Sequence, residues 1–142
     1  MPLIRYSDGA ERRGQPLRPA DVPSLGLDGV NLASIRIDHQ TRLQFDDAEV
    51  VIGTPFRLVT NDGDWMLDPE QRAELGPLTA IYPTCLVTAA IEPNLTLRLT
   101  FEDGARIDVP QDRQYEAWEI VGPDSRLIVC PPEGDGTLSV WQ

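Results

Sequence analysis

Few residues in this chain could do covalent chemistry. His39 is its sole histidine and Cys85 and Cys130 are its only cysteines. A thiol nucleophile needs a base beside it and a third group to orient that base, so the only such set available is Cys85 or Cys130 with His39 and Asp38. A zinc site would draw on the same widely separated residues, since tetrahedral zinc takes sulfur and nitrogen ligands. The cysteines have no C-x-x-C spacing and sit in apolar runs, TCLVTAAI and RLIVCPP, where an inert buried thiol is expected. Asp62-Gly63-Asp64 echoes a calcium loop, but no glutamate follows to complete the EF-hand pattern. Phosphate-binding glycine loops and the nucleophile elbow are both missing from the sequence. The reading leans away from an enzyme and assigns no catalytic residue, no metal ligand and no cofactor.

Carboxylates are plentiful, in pairs such as Asp46-Asp47, Asp62 with Asp64, and Glu102-Asp103. Acid-base catalysis needs two carboxyl groups in a cleft with separated pKa values, whereas adjacent acids in a turn are solvated alike. Turn chemistry accounts for most of them. Two groups stand out as binding candidates. One is the run Tyr115-Glu116-Ala117-Trp118-Glu119, in which a strand would place Glu116 on the same side as Trp118 and Ile120. It reads either as a core tryptophan beside an internally paired glutamate or as an aromatic and acidic recognition patch. The other is Asp38, His39 and Gln40, which also reads as a plain hairpin turn. The candidate binding residues are therefore Tyr115, Glu116, Trp118, Asp38, His39 and Gln40.

The elements that must position these residues are mostly strands. Leu32, Ile35 and Ile37 lead into the polar group Asp38 to Thr41, and Leu43 and Phe45 then alternate with Arg42 and Gln44, the pattern of a hairpin. Asp46-Asp47 turns the chain into Val50-Val51-Ile52, and a short strand from Phe56 to Val59 ends in the turn Asn61 to Asp64. Asp68 as N-cap, Pro69 and Glu70 predict a helix that Gly76-Pro77 breaks after two turns, with a further turn from Leu78 to Tyr82. Strands are expected over 85–91, 95–101, 106–109, 117–121, 126–130 and 137–141. Leu43, Phe45, Asp47, Ala48 and Val51 match Leu99, Phe101, Asp103, Gly104 and Ile107 at one offset. That makes two equivalent hairpin-based halves around one helix, without establishing a duplication, because hairpins resemble each other for physical reasons.

The expected fold class is thus α+β, mostly antiparallel strands with one short helix near residues 69–82. Residues 1–24 are polar, rich in arginine and proline, and read as a flexible arm before a single domain over 25–142. The N-terminal run MPLIRYSDGAERRG has no apolar signal core and no stretch is long enough to span a bilayer, so a cytoplasmic location is expected. Net charge is −11, and residues 28–142 hold eight arginines against twenty acids. Such a surface repels nucleic acid and favours a basic protein partner, although acidity also serves solubility alone.

The run FEDGARIDVP, then YEAW, Gly122-Pro123, Val129-Cys130-Pro131 and the terminal apolar-Trp pair, with Asp38, Gln40, Phe45 and Pro55-Phe56, resembles a family of small uncharacterised actinobacterial proteins. The resemblance implies a fold and a bacterial source and supplies no activity, cofactor or site. Ala48 departs from it, standing where a turn glycine would be expected. The expected function is a non-enzymatic binding protein, in its sharpest form an immunity-type protein that neutralises a basic bacterial toxin. The alternative is a small-molecule-binding or enzymatic domain with a pocket between sheet and helix.

Overall fold

The computed structural model describes residues 14–142. Its strands are β1 (Gln15–Leu17), β2 (Val30–Ile37), β3 (Thr41–Phe45), β4 (Glu49–Ile52), β5 (Phe56–Thr60), β6 (Gly63–Leu67), β7 (Cys85–Ile91), β8 (Leu97–Phe101), β9 (Arg106–Val109), β10 (Trp118–Val121), β11 (Leu127–Val129) and β12 (Leu138–Trp141). They pair antiparallel in the order β1-β12-β11-β10-β4-β3-β2-β7-β8-β9-β5-β6. The only α-helix among the described residues is α1 (Gly76–Thr79), four residues long, so the fold is mostly β rather than an even α+β mixture.

Two three-stranded meanders, β2-β3-β4 and β7-β8-β9, meet where β2 lies against β7. Val30 faces Leu86 and Asn31 faces Cys85, and the contact is extended by Gly29 N–H to the Leu86 carbonyl (2.7 Å) and Leu32 N–H to the Thr84 carbonyl (3.0 Å). Both strands carry a bulge at the same place, between Leu32 and Ser34 and between Leu86 and Thr88. The meanders are therefore related by a local two-fold axis between β2 and β7.

The hairpin that follows each meander does not extend it. β5 leaves β4 and pairs with β9, setting Leu58 opposite Ile107, while β10 leaves β9 and pairs with β4, setting Ile120 opposite Val50. Each hairpin thus closes the open edge of the other meander. The two connecting segments touch where they pass, with Gly53 N–H donating to the Ala117 carbonyl at 2.9 Å.

Period-two alternation buries one face of β3, β5, β8, β9 and β10, and Leu43, Val50, Ile52, Phe56, Leu58, Leu97, Leu99, Ile107, Trp118, Ile120 and Ile128 join one core spanning both halves. Trp118 is 2% exposed. Its indole N–H donates to the Leu95 carbonyl at 3.0 Å, tying the hairpin on one meander to the β7–β8 turn of the other. Leu95 has φ 69°, a left-handed conformation that costs a side-chain-bearing residue about 1–2 kcal/mol. Its burial, at 1% exposure, offsets that cost.

Four expectations are corrected. The repeat shifts by one residue past its turn. The first turn has two residues, Asp46-Asp47, closed by Phe45 N–H to the Ala48 carbonyl (2.8 Å); the second has three, Glu102-Asp103-Gly104, closed by Phe101 N–H to Ala105 (2.9 Å). Val50, not Val51, is therefore the repeat counterpart of Ile107, since each lies opposite the matching leucine, and Ala48 needs no glycine because only the longer turn uses a left-handed residue, Gly104 at φ +90°. The two-turn helix from Pro69 does not form: Asp68 caps an isolated turn at Glu70 N–H (2.9 Å), Arg72–Glu74 makes a 3-10 turn, and Pro77 opens α1 instead of breaking a helix. Burial of Leu75 and Leu78 (both 0% exposed) fixes this path. β6 begins at Gly63 and Asp64, expected as turn, and runs on to Leu67, with Trp65 and Leu67 carrying the alternation. Finally, the C-terminal part of the expected arm is not loose: β1 pairs with β12, and Gly14 lies so close to the Trp141 ring that a Cβ there would sit 2.8 Å from it. The rest of that arm, residues 1–13, lies outside the described residues.

Truncating Trp118 removes both packing and the bond to Leu95. Trp118→Ala is expected to lose about 3–5 kcal/mol, while Trp118→Phe keeps most of the ring and is expected to lose about 0.5–1.5 kcal/mol for the hydrogen bond plus a packing cost. Urea melts of the two variants check the order, and a wild-type midpoint for the alanine variant would remove Trp118 from the core.

Candidate functional site

Gln40 sits in the β2–β3 turn, which the carboxylate of Asp38 organises. Asp38 Oδ1 accepts the Gln40 N–H (2.9 Å) and Oδ2 accepts from Arg42 Nε (3.3 Å), while Arg42 also reaches Gln40 Oε1 (3.1 Å) and Glu49 Oε1 (3.0 Å). The Gln40 N–H, helped by the charges of Arg42 and Arg36 against a partial loss of solvation, holds the Asp38 carboxyl below the usual carboxylate range. Asp38 is thus spent on its own turn. His39 is exposed at the tip, and the described residues contain no group of three or more histidine, cysteine or acidic side chains able to hold a metal.

The second wall is the segment that carries the chain from β9 to β10. Asp112 Oδ2 accepts the N–H groups of Gln114 (2.8 Å) and Tyr115 (2.9 Å), and Gln111 Nε2 donates to the carbonyls of Pro131 (3.0 Å) and Pro132 (3.3 Å). Glu133 N–H closes the attachment on the Asp112 carbonyl at 3.0 Å. A loop held at so many points presents Tyr115 outward in a fixed place, 66% exposed. The third wall is Asp68 and Glu70, in the turn after β6.

Between these walls, beside the crossing of the two segments, lies an open cleft of about 680 Å³ lined by Gln40, Gly53, Thr54, Pro55, Asp68, Glu70, Asp112, Gln114, Tyr115, Glu116 and Pro132. A Cβ at Gly53 would stand 3.3 Å from the Glu116 carbonyl and 3.4 Å from Gln40 Nε2, so glycine lets the walls approach. The structure brings Gln40, Tyr115 and Glu116 of the sequence candidates together here. Asp38 and His39 stand on the turn behind Gln40 without lining the cleft, and Trp118 belongs to the core. Sequence reasoning missed Asp68, read as a helix cap, with Glu70, Asp112 and Gln114. The clustering of acids near residues 68–70 and 112–116 was the available signal, but their proximity depends on the crossover.

A second open cleft, of about 370 Å³, lies between α1 and the turns of β5–β6 and β8–β9, lined by Trp65, Pro77, Ala80 and Ile81 with Asn61, Asp62 and Asp103 among its polar groups. The cysteines build no site with His39. Cys85 lies opposite Asn31 at the start of β2, and His39 follows the far end of that strand, more than about 20 Å away at the usual rise per residue. Cys130 is fully buried, and both thiols are free.

The chain belongs to a family of unknown function (DUF6188), whose model matches residues 23–142. No curated protein and no solved structure matches it.

Burial, with the negative charge of Glu116 adding to it, pushes the Cys130 thiol up to about 12 from an ordinary 9.0. The folded chain then keeps this proton where the unfolded chain releases it, so the contribution of Cys130 to stability is lost as pH rises from about 9 towards 12. In native protein at pH 8, a disulfide reagent is expected to modify Cys85 first and Cys130 only after unfolding. Two thiols reacting at equal rates before any loss of structure would contradict the burial.

Proposed function

We propose that this member of the family is a non-enzymatic binding protein that holds a basic protein partner at the crossover cleft, in the manner of an immunity protein neutralising a basic bacterial toxin. The observation that carries the reading is the composition of the wall: Asp68, Glu70, Asp112 and Glu116 line it, and no arginine or histidine among the described residues does. The loop's own cation, Arg113, is exposed outside it. A chain of net charge −11 adds a long-range field that draws cationic surfaces in and turns phosphate backbones away. Tyr115 beside carboxylates suits a guanidinium, whose edge meets carboxylate oxygens while its face lies on an aromatic ring. The binding chemistry needs no nucleophile, which agrees with a protonated, buried Cys130 and a solitary His39.

The cleft between α1 and the sheet supports a second reading, a small-molecule site. Trp65, Pro77 and Ile81 supply an apolar floor and Asn61, Asp62 and Asp103 supply polar groups at its rim, the composition of a ligand pocket.

The two readings separate by experiment. Glu70→Gln with Asp112→Asn keeps shape, and the asparagine can still accept the loop's N–H bonds. Exposed ion pairs are worth about 0.2–1 kcal/mol each, so this double variant is expected to weaken binding of an arginine-rich peptide about fivefold at low salt, with Tyr115→Ala weakening it further. Calorimetry checks this, and an affinity that ignores both the substitutions and salt would overturn the cleft as the binding site. A small molecule that changes Trp65 fluorescence and leaves peptide binding intact would support the second reading.

A further inference from the structure

We infer that the chain is two copies of one five-stranded unit, β2 to β6 and β7 to β11, joined end to end, and that neither unit completes its sheet without the hairpin of the other. This is independent of the binding proposal. Four correspondences carry it. The central strands meet about a local two-fold axis and are bulged at equivalent residues, after Leu32 and after Leu86. The meanders superpose in register, Leu43 opposite Val50 as Leu99 is opposite Ile107. Arg42 on β3 pairs with Asp38 in the preceding turn at 3.3 Å, and Arg98 at the same place on β8 pairs with Glu92 at 3.4 Å. The hairpins cap each other's meander reciprocally, by Leu58 on Ile107 and by Ile120 on Val50.

Hairpin physics explains one such likeness but not all four. Consecutive elements are usually neighbours in space, so the simple course for β5 was to stay beside β4. Leaving it exposes the β4 edge, and only the second unit's β10 covers that edge. Leu58, Ile107, Ile120 and Val50 are all within 2% exposure, so the apolar face of each hairpin is buried on the opposite unit. On this view the segment between β6 and β7 tethers the units and contributes little to the sheet.

The test keeps the full chain. A protease site is placed at Tyr82-Pro83, which is exposed, and the folded protein is cut there. The halves are expected to elute together with an unchanged circular dichroism spectrum, to refold together from urea, and to show an unfolding midpoint that falls on dilution, because unfolding now separates two chains. In the uncut protein, hydrogen exchange is expected to rise in β9 before β4 for Leu58→Ala, and in β4 before β9 for Ile120→Ala; Leu58→Val and Ile120→Val give the same order if an alanine variant does not fold. Halves that part as folded species, sheet lost on cutting, a midpoint unmoved by dilution, or exchange that rises first within the mutated unit's own meander would each overturn the inference.

Discussion

Two ladders, β5 on β9 and β10 on β4, are what the remainder of the molecule depends on. A three-stranded meander ends in a row of unpaired N–H and C=O groups, and such an edge must be covered or it becomes a site for pairing with other chains. Here the cover comes from the far half in both directions. The hydrophobic core follows from this, because the hairpins bring Phe56, Leu58, Trp118 and Ile120 onto meanders that would otherwise present Ile107 and Val50 to water. Because each half buries its apolar face on the other, the exchange makes the core contacts long-range, and contacts distant in sequence slow folding. The bond from Trp118 to the Leu95 carbonyl belongs to the same arrangement, as it crosses from a hairpin to the meander that the hairpin left.

The carboxylate cleft is a by-product of the exchange. Where two connecting segments pass, their backbones leave the ladders, and a backbone hydrogen bond from Gly53 to Ala117 joins them. Side chains there are free of sheet alternation and can be polar. The 110–117 segment is then fixed by Gln111 and Asp112, so that a loop outside any strand still presents Tyr115 on a rigid support. Binding surfaces are found on loops held by a scaffold for this reason.

The alternation of Leu43 with Phe45 and of Leu97 with Leu99 and Phe101 made most strands legible, because a half-buried strand writes its period into the sequence. β6 was not legible: Gly63 and Asp64 are turn residues by type, and their place in a strand depends on the two-residue turn before them. The helix was misplaced because capping signals at Asp68 and Pro69 are local, whereas the path of this segment is set by burying Leu75 and Leu78. The identity of the pairing partners, and with it the cleft, had no local signature at all. Gln40, Tyr115 and Glu116 could be picked out by type, but nothing in their spacing says that they meet. Asp38 and Trp118 meet the same criteria of type and serve a turn and the core, because residue type alone does not separate an interface from an interior.

The distribution of charge follows from where the arginines are used. On the sheet formed by β8, β9, β5 and β6, Arg98 and Arg106 share Asp108 at 2.8 and 3.2 Å, Arg98 also meets Glu92 at 3.4 Å, and Arg57 meets Asp64 at 2.9 Å, so these charges balance among themselves. Arg36 and Arg42 surround Asp38, and Arg126 is bonded to the Ser24 carbonyl. With these six arginines committed there, much of the excess acid falls elsewhere, in exposed turns and along the cleft. Acids in turns at Asp46 and Asp47 are dispersed in solvent and contribute to solubility and little else. Those of the cleft differ, since Asp68, Glu70 and Asp112 come from segments distant in sequence and converge on one concave surface. A concave wall of one sign focuses the field that a convex surface spreads, so the same net charge acts more strongly there on an incoming cation.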